Sequence, residues 1–164
     1  MLALTLATLL TQTSPTDAKI VDLKDGFVRV STAVYSIEVP KGWILSRETT
    51  FGQRKVKGSG GELGVMTAGR TEATWDELYR TSLYFIMRDR KGKATPYQLS
   101  KTEQGYEACS FTVLNEDGFA DRRFVLLKNK AGDAIALDVQ IRDPKLEKEL
   151  AKFFERMVKS ARIL

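Results

Sequence analysis

Between residues 106 and 142 the sequence alternates apolar and polar side chains through three successive segments, a period of two that gives a strand one buried face. In "DAIALDVQIRD", Ile135, Leu137, Val139 and Ile141 point one way while Asp138, Gln140 and Arg142 point the other. "GYEACSFTVLN" and "FADRRFVLLKN" precede it, and the connections "NEDG" (115–118) and "NKAGD" (129–133) carry turn residues. The spacing predicts an antiparallel three-stranded meander. Weaker strand patterns lie at 27–30, 34–39, 51–56 and 62–69.

Two segments follow the helical period instead. In 74–92, Thr74 and Glu77 form a capping box in which each satisfies an orphan N–H at the helix start. Trp75, Leu78, Tyr79, Ser82, Leu83 and Ile86 recur at three- and four-residue spacing, and Gly92 is placed to end the helix. In 143–163, Asp143 caps, Pro144 suits the first helical position, and Leu146, Leu150, Phe153, Phe154, Met157, Val158 and Ala161 supply the stripe. Strands interrupted by helices, without alternation of strand and helix, predict an α+β domain on an antiparallel sheet. No repeat or linker divides residues 19–164, which read as one domain.

"YSIEVPKGWIL" (35–45) then has a physical reading. Tyr35, Ile37 and Val39 share a face, Pro40 has no N–H to continue the ladder, and Gly42 permits the bend. Trp43 is expected to fold back on the sheet edge as an apolar plug.

The first residues, "MLALTLATLL" followed by "TQTSPTDA", have the apolar core and small-residue end of a signal peptide, with Thr16 and Ala18 before a cut at Lys19. No Lys or Arg precedes the apolar run, as one would in an ordinary signal peptide. Residues 1–18 are expected to be a signal peptide or a disordered N-terminal segment. The expected location is secreted or periplasmic, or cytoplasmic if the segment is no signal. No apolar run reaches the roughly 20 residues of a membrane-spanning helix.

The 164 residues include no histidine, which removes the commonest general base and the nucleophile pairs and zinc motifs built on it. Cys109 is the single cysteine and sits in an alternating strand, where a buried thiol is expected. "KGSGGELG" (57–64) fits neither the dinucleotide fingerprint nor the P-loop and reads as a hairpin connection. Asn115, Asp117 and Asp121 miss the calcium-loop spacing, because Gly118 comes fourth rather than sixth. No catalytic set, cofactor or metal site is expected.

Two groups of residues are candidates for binding. Lys41, Arg47, Arg54, Lys55 and Lys57, with Arg88, Arg90, Lys91 and Lys93, offer a surface for an anionic partner. The second of these clusters also matches the negative end of the 74–92 helix dipole. Tyr79, Tyr84, Phe85 and Tyr97 offer the lining of an apolar pocket between that helix and the sheet.

"YSIEVPKGW" (35–43), a Thr-capped helix after the early strands, the meander and a final helix closing on "MVKSARI" (157–163) resemble the PsbP-like family over residues 27–164. The resemblance implies an antiparallel sheet, here of about six or seven strands, sandwiched between helices in α/β/α layers. It also implies an accessory role without catalysis. Together with the missing catalytic residues it leads to an expected function: an exported binding domain for a protein or cell-envelope partner, with no specific nucleic acid. The alternative expectation is a carrier of a small apolar or amphiphilic ligand in the pocket beside helix 74–92.

Overall fold

The alternating segments pair as their period requires in the computed structural model, which describes residues 18–49, 52–88 and 91–164. The expected signal segment lies outside these residues except for Ala18, and so does Arg90. In chain order the first strands are β1 (Lys19–Asp22), β2 (Phe27–Ser31), β3 (Tyr35–Pro40), β4 (Ile44–Leu45), β5 (Gln53–Gly58) and β6 (Gly61–Arg70). Helix α1 (Trp75–Met87) follows, then β7 (Lys93–Ala94), β8 (Gln98–Lys101), β9 (Glu107–Leu114), β10 (Ala120–Lys128) and β11 (Asp133–Ile141). A 3₁₀ turn (Pro144–Leu146), helix α2 (Glu147–Ser160) and β12 (Arg162–Ile163) close the chain.

All strand pairings among the described residues are antiparallel. One sheet runs β1-β2-β3-β12, and the larger runs β4-β5-β6-β11-β10-β9-β7 with β8 also on β9. The described residues thus hold twelve strands in two sheets rather than six or seven in one. The additions include β4, β7 and β12, which have two residues each and are too short to show a period. Strand β12 pairs Arg162 with Ser36 and Ile163 with Tyr35, so the end of the chain clasps the Pro-Lys-Gly-Trp strand.

The register sorts the large sheet into two faces. Val65 pairs with Leu137, and Leu137 with Val125; these join Val56, Leu63, Leu127, Ile135, Val139 and Ile141 in the main core. Val30, Tyr35, Ile37 and Val39 of the small sheet, with Leu150, Phe154 and Met157 of α2, fill the same core. On the other face Cys109, Phe111, Val113, Phe124 and Leu126 meet Trp75, Leu78, Tyr79, Leu83, Ile86 and Met87 of α1. Helices therefore lie on opposite faces of the large sheet, in the layering the resemblance implies.

The first helix begins where its cap predicts, whereas the second, expected over 143–163, starts only at Glu147 without a side-chain cap and gives way after Ser160 to β12. Thr74 Oγ1 accepts from the Glu77 amide, and the Glu77 carboxylate accepts from the Thr74 amide at 2.8 Å. Asp143 accepts from the Lys145 amide at 3.0 Å and starts the 3₁₀ turn ahead of α2. The first helix ends at Met87, a turn short of Gly92, whose φ of +136° suits glycine alone.

Trp43 is half-buried and stands edge-on to Phe153 at 5.6 Å, as a plug on the main core. Its ring lies over Gly58, where an added Cβ would come within 2.1 Å of it. The glycine-rich stretch is a β5–β6 hairpin whose glycines make room for neighbours: Trp43 over Gly58, Leu146 over Gly60 and Leu150 over Gly61. At its tip the Gly60 carbonyl accepts from the amides of Arg142 and Asp143, which presents an acceptor where a phosphate needs donors.

Candidate functional site

The basic residues of the first candidate surface divide between the two faces of the sheet. Arg54 pairs with Val65 on the inner face and is wholly buried. It donates to the Ser46 carbonyl at 2.8 Å and to the Tyr35 phenol at 3.1 Å, and pairs with Glu48 at 3.4 Å. Lys55 and Lys57, one residue to either side of Val56, point outward by the same alternation. Lys41 pairs with Asp22, and Arg47 is exposed on the segment after β4. Of the second cluster, Arg88 and Lys93 are exposed, and Lys91 reaches Glu116 at 3.5 Å.

What gathers instead is a cationic set on the outer face of β5, β6, β11 and β10. Lys55 reaches Glu62 at 2.9 Å, Lys57 at 4.0 Å and Arg142 at 3.4 Å, so three cations share one carboxylate. Beside them Arg122 holds Asp138 at 2.8 Å, and Gly64 leaves the space that the Asp138 carboxylate fills. Burial raises the Asp138 carboxyl above the ordinary range, more than Arg122 pulls it down. Nothing in the local sequence marks Arg122 and Arg142 as members of this set. Only the strand pairing of Glu62 with Gln140 and of Arg122 with Gln140 brings them here.

The four aromatic residues also separate. Tyr79 packs on Phe111 at 5.0 Å and Tyr97 at 5.1 Å, and its hydroxyl donates to the Thr95 carbonyl at 2.7 Å. Burial pushes its phenol above the ordinary value. Tyr84 and Phe85 stack edge-on at 5.4 Å on the open side of α1, with most of both rings exposed. The space between α1 and the sheet is filled by Trp75, Leu78, Leu83, Ile86 and Met87.

A cleft of about 660 Å³ opens on the opposite face, between α2 and β8–β10. Val125, Phe154 and Val158 give it an apolar floor, Ser110 and Thr112 a row of hydroxyls, and Lys152 and Glu155 a charged rim. Arg123 lines it as well, tied to Glu147 at 2.6 Å. Tyr97 is the one sequence-predicted pocket residue on its wall. Cys109 is buried as expected, and burial pushes its thiol up to about 11.

The antiparallel sheet carries one helix on each face, with a small N-terminal sheet clasped by the last strand, and this α+β fold is PsbP-like. The solution structure of cyanobacterial PsbP (CyanoP) from Synechocystis sp. PCC 6803 superposes with a TM-score of 0.58, covering 93% of this chain and 96% of that one at 16% identity. At that identity the likeness establishes the fold. No family model matches the sequence, and no curated protein does. Among the described residues no helix is long and apolar enough to cross a membrane.

Proposed function

We propose that the protein is an exported, non-enzymatic accessory domain that engages a protein or cell-envelope partner. The observation that carries this reading is the Tyr84–Phe85 pair, two large rings packed on each other in the open instead of in the core. Aromatic side chains supply much of the energy of protein interfaces because they bury large areas at little cost in flexibility. The PsbP-like fold supports an accessory role by analogy. Much of the charge that chemistry would need is engaged in structural pairs, such as Arg123 with Glu147 and Arg156 with Glu38.

A photo-crosslinking residue at Tyr84 in the native organism is expected to trap one discrete adduct in the envelope fraction, and Phe85→Ala to reduce it. Crosslinking as diffuse as that from an exposed site such as Lys130 sinks the reading. N-terminal sequencing of the mature chain tests export, with Lys19 expected first.

The second reading, a carrier of a small amphiphile, is favoured by the α2 cleft with its apolar floor and charged rim. It differs from the sequence expectation in placing the ligand on the face opposite α1. Native mass spectrometry of freshly purified protein is expected to show bound mass that Val125→Trp removes; an empty wild-type protein ends this idea.

A further inference from the structure

The outer sheet face described above has charge and apolar anchors in one place. Its central carboxylate lies beneath three cations, and a second is covered together with its arginine partner. Glu62 is 5% exposed, while Lys55, Lys57 and Arg142 are 41%, 57% and 59% exposed. With Arg122 and Asp138 included, four cations stand against two carboxylates, an excess of two positive charges. An approaching partner meets ammonium and guanidinium ends, with the negative charge sealed below. Ile44 of β4, opposite Lys57, is 68% exposed on the same face, and Met66 of β6 is exposed there too.

We propose that this face binds an acidic, extended polypeptide segment, its carboxylates on Lys55, Lys57 and Arg142 and an apolar side chain on Ile44. The inference rests on the binding-domain reading and deepens it. Lys55 and Lys57 are two strand residues apart, roughly 7 Å, which is also the spacing of alternate side chains in an extended peptide. Arg142 extends from the strand two places across, on the order of 10 Å away, so the cations mark out a breadth that one segment covers. The exposed apolar side chains set this face apart from a phosphate-backbone site. Stacking of bases needs aromatic rings, and Ile44 and Met66 offer none.

Fluorescence anisotropy of the whole chain with a labelled short peptide alternating glutamate with valine and threonine tests the proposal at low salt. Saturable binding is expected, weakened at least about tenfold by Lys57→Glu with Arg142→Glu. It should be unchanged by Lys145→Glu with Lys148→Glu at the start of α2, and strengthened by Glu62→Gln. If the charge-reversed protein fails to fold by circular dichroism, Lys57→Gln with Arg142→Gln replaces it. No binding, or equal loss in the control pair, overturns the proposal. Stronger patch-dependent binding to phosphatidylglycerol vesicles or to a single-stranded oligonucleotide overturns the polypeptide assignment. The Tyr84 crosslinking experiment repeated in the patch variant separates the two readings. An adduct retained in the variant, with no peptide binding by the wild-type chain, removes this face and leaves the binding-domain reading standing. Loss of the adduct in both proteins removes the latter.

Discussion

Arg54 Nε donates to the phenol oxygen of Tyr35 at 3.1 Å, and both side chains are sealed from solvent where the two sheets meet. A guanidinium at such a site is tolerated only because its N–H groups find oxygens, here including the Ser46 carbonyl and Glu48. Removing it leaves those acceptors and the space behind them uncompensated. Arg54→Ala is expected to cost about 3 kcal/mol or more, and Tyr35→Phe about 1–2 kcal/mol, in urea unfolding. A neutral Arg54→Ala shows that the cation contributes nothing at this junction.

Trp43 against Gly58 gives a sharper steric test. With a Cβ only 2.1 Å from the ring, Gly58→Ala forces the indole off β5. In a Trp75→Phe background, so that Trp43 alone emits, the substitution should shift the fluorescence to the red and cost roughly 1–3 kcal/mol. Unchanged emission means that the ring does not lie where described.

Acid should loosen the join between α2 and the small sheet. Glu38 accepts from Arg29 at 2.8 Å and from Arg156 at 2.9 Å, and Arg156 also reaches Asp25 at 2.6 Å while lying over the Phe27 ring. Burial alone raises the Glu38 carboxyl, but the two arginines outweigh it and hold it below its ordinary range; the Arg156 hydrogen bond holds Asp25 low as well. Folded values below the unfolded ones mean that this stabilisation is complete above about pH 4–5 and is lost as pH falls through the lowered values. Thermal melting between neutral and acid pH should show that decline, and Glu38→Gln should flatten it. A variant that declines as steeply as the wild type refutes the assignment.

Cys109 is expected to stay silent to thiol reagents. Buried under α1, with its thiol pushed up to about 11, it has neither exposure nor thiolate at pH 8. A chromogenic thiol reagent should react only after denaturant unfolds the chain. Prompt labelling of the native protein requires that α1 lift from the sheet.

How much of this could be read from the sequence depends on periodicity. The meander, β2, β3, β5, β6 and both helices each span enough residues to show a period of two or of three to four, and each forms. Strands β4, β7 and β12 offer two residues apiece, which pairing decides and periodicity does not. Arg54 shows a signal left unused: in "FGQRKV" it shares parity with Val56, so a buried Val56 placed the arginine inside beside it. The charged set around Glu62 had no such signal. Lys55 and Lys57 are neighbours in the sequence, but Arg142 is 80 residues from Glu62 and arrives only through the β6–β11 register. Tyr84 and Phe85 sit off the α1 stripe, and nothing in their spacing separates an aromatic in the open from one in a pocket.

The large sheet is open, and its two rims are both blunt. One is β4, two residues long; the other is divided between β7 and β8 by Pro96, with Lys93 at one end and Lys101 at the other. A second chain arriving there finds short, interrupted rows of amides flanked by like charges, too little to start a growing ribbon. The rims of the large sheet should therefore not seed fibres in concentrated solution, and what that sheet displays to solvent is the side chains of its broad faces rather than backbone at its margins.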